Sequence, residues 1–99
     1  MKLLQSQYIN EVYALNIYEN ETLDGDKFFK YQVNRDDYNY PSIEIETDYF
    51  TNEVQVKVQT TAHGTLTIEE MTEHIEKLQE AMKVAEIVQI TINSQEFAN

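Results

Sequence analysis

The segment Thr67 to Glu86, TIEEMTEHIEKLQEAMKVAE, constrains the fold more than any other stretch of the chain. Thr67 can accept a hydrogen bond from the amide of Glu70 while the Glu70 carboxylate takes the amide of Thr67, a capping box, and Leu66 and Met71 occupy the two positions of a hydrophobic staple. From there Ile68, Met71, Ile75, Leu78, Met82 and Ala85 recur at spacings of three and four. At about 3.6 residues per turn this gathers them into one stripe, expected to face a core. Glu69, Glu73, Glu76 and Glu80 recur with the same spacing on the opposite side, their carboxylates following one another about 4.5 to 6 Å along the axis. Glu73 with Lys77 and Glu80 with Lys83 are favourable neighbours, whereas Glu69 with Glu73 and Glu76 with Glu80 repel. Two readings fit this row: an ordinary solvated face, or a surface that meets cations.

The rest of the chain reads mainly as strands. Residues 3 to 18 are ambiguous, because Leu4, Tyr8, Val12 and Leu15 fit a helical spacing while Tyr13, Leu15 and Ile17 alternate; the expectation is an irregular or helical start passing into a strand at Val12 to Tyr18. Asp24-Gly25 within NETLDGD supplies the positive φ of a tight turn, so a hairpin is expected there, with Phe29, Tyr31 and Val33 on its second strand. Pro41 closes a polar loop over Asn34 to Tyr40. Ile43, Ile45 and Thr47 alternate with Glu44, Glu46 and Asp48, and Val54, Val56 and Val58 alternate with polar neighbours, a second hairpin turning at Tyr49 to Asn52. His63-Gly64 breaks the chain before the helix, and the β-branched run Ile87 to Ile92 predicts a last strand, with a frayed tail from about Asn93. The expected fold is α+β: one domain over residues 1–99, an antiparallel sheet of four or five strands with one amphipathic helix on one face, roughly β-β-β-β-α-β.

Charge and composition narrow the function. Ninety-nine residues can bury one core without staples, and hydrophobic residues at 41% argue for folding despite a net charge of −11. Such a charge exceeds the ~2 to 8 that solubility needs in a small domain, disfavours direct contact with nucleic acid or an anionic membrane, and favours basic partners. The acids of residues 19 to 48 join those of the helix, and Glu44, Glu46 and Asp48 would be separated by about 6.6 Å each along one strand face. There is no cysteine, hence no disulfide or thiolate metal site, and the start MKLLQSQYIN lacks the apolar run of a signal peptide or spanning helix, so the expected compartment is the cytoplasm.

Catalytic furniture is sparse. Ser6, Ser42 and Ser94 sit in no recognisable nucleophile elbow, and two glycines cannot form a phosphate-binding loop. The run from Asn20 to Gly25 superficially matches the start of a calcium loop, but its twelfth position is Tyr31, not a bidentate Glu. His63 and His74 could share zinc with a carboxylate, although a partly buried structural histidine accounts for His74 as well. The expectation is no enzyme, no metal and no cofactor. Seven tyrosines are the other unusual feature. Tyr13, Tyr31 and Tyr49 fall in strand patterns and read as core or core-edge residues. Asp36, Asp37, Tyr38 and Tyr40 form a tyrosine-acid loop that either anchors on a partner or packs back on its own sheet.

Small size, absence of cysteine, acidic rows at Glu44, Glu46, Asp48 and at Glu69, Glu73, Glu76, Glu80, and the loop at Asp36, Asp37, Tyr38 and Tyr40 together give a chain that resembles the phage-encoded DNA-mimic inhibitors, anti-CRISPR and anti-restriction proteins among them. The resemblance is one of overall character and carries no motif. It implies a stoichiometric inhibitor whose carboxylates occupy a basic groove of a nucleic-acid-binding protein, such as a Cas or restriction nuclease, in place of phosphates. The alternative expectation is a structural or accessory protein of a phage or mobile element that self-associates, as a homo-oligomer, through a sheet edge or through tyrosines.

Overall fold

The computed structural model describes residues 1–48, 50, 51, 53–60 and 64–94. The order of elements is β1 (Lys2–Tyr8), β2 (Tyr13–Glu21), β3 (Lys27–Arg35), β4 (Ile43–Thr47), β5 (Val54–Val58) and α1 (Ile68–Ser94). They form an α+β fold with two antiparallel sheets, β1-β2-β3 and β4-β5. The molecule extends 53 × 26 × 21 Å. A helix of 27 residues is about 40 Å long and therefore runs near the long axis.

β2 is the centre of its sheet. Tyr13, Leu15 and Ile17 alternate toward the helix and are buried, and the small Ala14 and polar Asn16 between them are buried as well. Asn16 is tolerated there because Ser6 Oγ donates to its Oδ1 at 2.6 Å. The β2–β3 hairpin forms where Asp24-Gly25 predicts it: Gly25 has φ +88°, its N–H donates to the Thr22 carbonyl at 3.0 Å, and the Thr22 N–H donates to the Asp26 carbonyl at 2.8 Å. The β4–β5 pair keeps Ile43 opposite Val58, Ile45 opposite Val56 and Thr47 opposite Val54 on the core side. Tyr49 and Asn52 of the expected connecting loop lie outside the described residues, as does His63.

The one sheet expected from the sequence is instead two, β1-β2-β3 and β4-β5, and three further expectations need correction. The first residues form a strand, β1, not an irregular or helical start. β1 is exposed along its whole length and shifts register between Leu3 and Gln5, so it carries no burial period to read, and its hydrogen bonds to β2 alone define it. The second correction is at the other end: Ile87 to Ile92 is helical, and no strand follows α1 among the described residues, so the order is β-β-β-β-β-α. Helix propensity disfavours this β-branched run by only a few tenths of a kcal/mol per residue, whereas Val88 at 0% and Ile92 at 6% exposure each gain about 1.5 to 3 kcal/mol from burial.

The third correction is the helix face. The buried residues of α1 are Ala81, Val84, Val88 and Ile92, and Ile68, Met71, Ile75 and Met82 of the expected stripe are exposed at 89, 43, 47 and 55%. The two faces lie about 100° apart around the axis. Once the helix runs to Ser94, the i, i+4 series ending in Val88 and Ile92 sets the orientation. These residues close the core with Tyr13, Leu15, Ile17 and Ile43.

Gln89 shows how the helix finishes the sheet. Its Oε1 accepts from the Val56 N–H at 2.9 Å and its Nε2 donates to the Val54 carbonyl at 2.9 Å, so one side-chain amide satisfies the outer edge of β5 as a neighbouring strand would. Gln89→Met keeps the bulk and removes both partners. It should cost about 1 to 3 kcal/mol and lower the melting temperature by at least about 4 °C, measured by circular dichroism; a shift below about 1 °C would refute the edge-closing role.

Candidate acidic interaction surface

The capping box forms as the sequence predicts. The Thr67 N–H donates to Glu70 Oε1 and the Glu70 N–H to Thr67 Oγ1, both at 3.1 Å, and the Thr67 backbone N–H first, with the Thr67 hydroxyl beside it, holds the Glu70 carboxyl below its ordinary pKa. From this start Glu69, Glu73 and Glu76 project from an exposed helix face, while Glu80 is half-buried and accepts from Asn10 Nδ2 at 3.0 Å. Asn10 is itself fixed by the β1–β2 turn, where its Oδ1 accepts from the N–H groups of Val12 and Tyr13 at 2.9 and 2.8 Å. The turn thereby pins the helix row to the sheet.

Between turn and helix lies a cleft of about 460 Å³, lined by Asn10, Glu11, Val12, Tyr40, Glu73, Glu76, Lys77 and Glu80. Four carboxylates share it with one ammonium group, and Lys77 Nζ sits 5.4 Å from the centre of the Tyr40 ring. Glu11 belongs to this cluster and escaped sequence reasoning. Its signal was Asn10, a turn former placed between two apolar segments.

The tyrosine-acid loop is tied largely to its own fold. Tyr40 packs edge-on against Tyr13 with ring centres 6.2 Å apart, and its carbonyl accepts from the Arg35 guanidinium. Tyr13 Oη donates to the Pro41 carbonyl at 2.5 Å, and burial pushes the Tyr13 phenol up to about 12. Asp37 Oδ1 accepts from the Asn39 N–H at 2.9 Å. Asp36 Oδ2 accepts from Tyr8 Oη at 3.0 Å and raises the Tyr8 pKa through that bond and its charge. Tyr38 is 82% exposed, with Arg35 Cζ 5.0 Å from its ring centre. Tyr40 thus joins the helix row in one cleft, whereas Asp36 and Asp37 accept hydrogen bonds within the fold and Tyr38 stays largely exposed beside Arg35.

The second acidic row is separate. Ile43 and Ile45 face the helix, so Glu44 and Glu46 point from the opposite side of the β4–β5 sheet. There Lys57 stands opposite Glu44 and pairs with Glu46 at 2.6 Å, which offsets the row at its centre. Asp48 Oδ1 accepts from the Phe50 N–H at 2.9 Å and so caps the following turn. The alternation of β4 made the acids legible, but the register that brings Lys57 between them is a property of the pairing. No helix among the described residues is long and apolar enough to cross a membrane.

Fold and surface together define a small α+β domain with a carboxylate-lined cleft beside its only described helix. Compared with protein-family models, with curated proteins and with solved structures, the chain matches none.

Proposed function

We propose that this protein is a non-catalytic inhibitor that binds a basic, nucleic-acid-processing protein, of the kind represented by CRISPR-Cas or restriction nucleases, and that it does so through the α1 row, not through both rows at once. The observation that carries this reading is the convergence of Glu11, Glu73, Glu76 and Glu80 on one cleft with Lys77 as its cation. Glu69 extends the row toward the helix start. A row with one carboxylate per ~4.5 to 6 Å approaches the charge spacing of a nucleic-acid strand, about 3.4 Å per phosphate. A cationic groove responds to the field of such a row without needing the sugar or base. The N-terminal end of a helix ordinarily concentrates partial positive charge, so Glu69, in the first turn with Glu70, is held at little cost to the helix.

The test is competition. The protein is titrated into purified Cas or restriction nucleases carrying a fluorescent DNA duplex, at 0.05 M and 0.2 M salt. The expected result is displacement of duplex that weakens as salt rises. Combined Glu69→Lys, Glu73→Lys and Glu76→Lys should weaken it by about 30- to 150-fold, that is about 2 to 3 kcal/mol. Glu44→Lys with Glu46→Lys, which lie beside Lys57, should change it less than about fivefold. Equal losses from the two sets would refute the assignment to α1, and no displacement from any nuclease tested would refute nuclease inhibition.

A further inference from the structure

α1 has a second apolar face that the fold leaves uncovered. Ile68, Met71, Ile75, Leu78, Met82 and Ala85 follow one another at steps of three, four, three, four and three, a strict 3.5-residue repeat over two and a half heptads. That period is the seam of a coiled coil, narrower than the 3.6-residue stripe of a helix lying on a sheet. The exposures of Ile68, Met71, Ile75 and Met82 given above show that the seam is open at those four positions, while Leu78 is half-buried and Ala85 lies half-buried against the core; residues 68 to 73 are exposed on every side. Two helical turns without packing are marginal in water even with a good cap, so an α1 that stays helical there needs cover.

We propose that a second copy of this chain supplies it, its α1 packed antiparallel against the first as a two-helix coiled coil. The pattern is self-complementary about a two-fold axis between Glu76 and Lys77. Ile68 of one copy meets Ala85 of the other, Met71 meets Met82, and Ile75 meets Leu78, each first-position residue facing a fourth-position residue as antiparallel helices require. The charge pattern selects the same occupant. Two bodies of net charge −11 repel, yet the accessible residues flanking the seam, Thr67, Thr72, His74, Gln79 and Glu86, carry one acid among five, and Ala81 beside them is buried in the core. The acid row of Glu69, Glu73, Glu76 and Glu80 points about 160° away from the seam. Antiparallel packing also sets the sheets, which attach to the C-terminal half of α1, at opposite ends of the pair; parallel packing would put them side by side. The inference is independent of the inhibitor reading, and both acid rows stay open in the pair.

Sedimentation velocity and light scattering on the full chain, from about 5 to 200 µM and at 0.05 and 0.5 M salt, test it. The expected result is a species of twice 11.7 kDa whose dimer fraction rises with salt, because screening relieves repulsion while apolar contact persists. Binding through the acid row has the opposite salt dependence, so the two proposals fail separately. Ile75→Glu or Met82→Glu, at exposed positions, should shift the dissociation constant at least about tenfold upward while the circular dichroism of the monomer is retained, and Glu73→Lys should leave the dimer intact. The chain has no cysteine, so an equimolar mixture of Ile75→Cys and Leu78→Cys copies reports orientation: the mixed disulfide should predominate on oxidation. A monomer at every concentration and salt would overturn the proposal. So would a dimer indifferent to both Glu variants, which would place the contact elsewhere, or a predominant Ile75→Cys homodisulfide, which would make it parallel.

Discussion

Val88→Asp should remove about 4 to 6 kcal/mol of folding stability, while Met82→Asp, six positions earlier on the same helix, should leave it nearly unchanged. Val88 is 0% and Met82 55% exposed. Placing a carboxylate at Val88 removes a buried side chain from the cluster of Tyr13, Leu15, Ile17 and Ile43 and leaves a charge with no partner in an apolar site. Together these cost about 4 to 6 kcal/mol, against a total stability of about 5 to 15 kcal/mol for a domain of this kind. At Met82 the same charge meets water, and the expected change is within about 1 kcal/mol. The pair is best compared by urea titration at low micromolar concentration, where association does not contribute. Similar losses for both, or a greater loss at Met82, would mean that the helix is rotated onto the other apolar face.

The second large effect is alkaline. Tyr13 is fully buried with its hydroxyl donating to the Pro41 carbonyl, and burial raises its pKa from 10.0 to about 12, the Arg35 charge opposing that shift in part. A folded-state pKa above the unfolded one means that the neutral phenol stabilises the fold. The contribution is complete below pH 10 and is lost as pH rises toward about 12. Two pKa units correspond to about 2 to 3 kcal/mol. Tyr31, raised by burial too, adds in the same direction. Tyr13→Phe should cost about 1 to 2 kcal/mol at pH 7, because the Pro41 carbonyl loses its donor, yet lose less stability than the parent between pH 10 and 12. Urea midpoints at intervals across pH 7 to 12 measure both. Parallel curves for the two proteins would show that Tyr13 is not the titrating group.

Much of this was legible because it depends on neighbours in sequence. The capping box of Thr67 and Glu70, the Asp24-Gly25 turn and the alternation of β4 and β5 are local, with spacings that state which backbone conformation is satisfied. β1 was not legible, since an edge strand exposed along its length has no apolar period and is defined by its pairing with β2, from Tyr8 opposite Ala14 to Lys2 opposite Glu19. The candidate surface divided in the same way. The two acid rows could be read from spacing, but Glu11 enters the cleft only because the β1–β2 turn reaches α1, and Lys57 offsets Glu44 and Glu46 only in the register of the hairpin.

The sequence by itself determined where α1 begins, which residues could turn, that the domain is α+β, and that a net charge of −11 leaves a basic partner easier to meet than an acidic one. What only the tertiary structure decided is which face of α1 is inside and where the helix ends. Both follow from one energetic comparison. Propensity weakly favours a strand over Ile87 to Ile92, and burial of Val88 and Ile92 on the Tyr13, Leu15 and Ile17 face outweighs it. Carrying the helix through to Ser94 turns it by about a quarter of a revolution, seats Gln89 on the edge of β5, and leaves the stripe from Ile68 to Met82 facing outward.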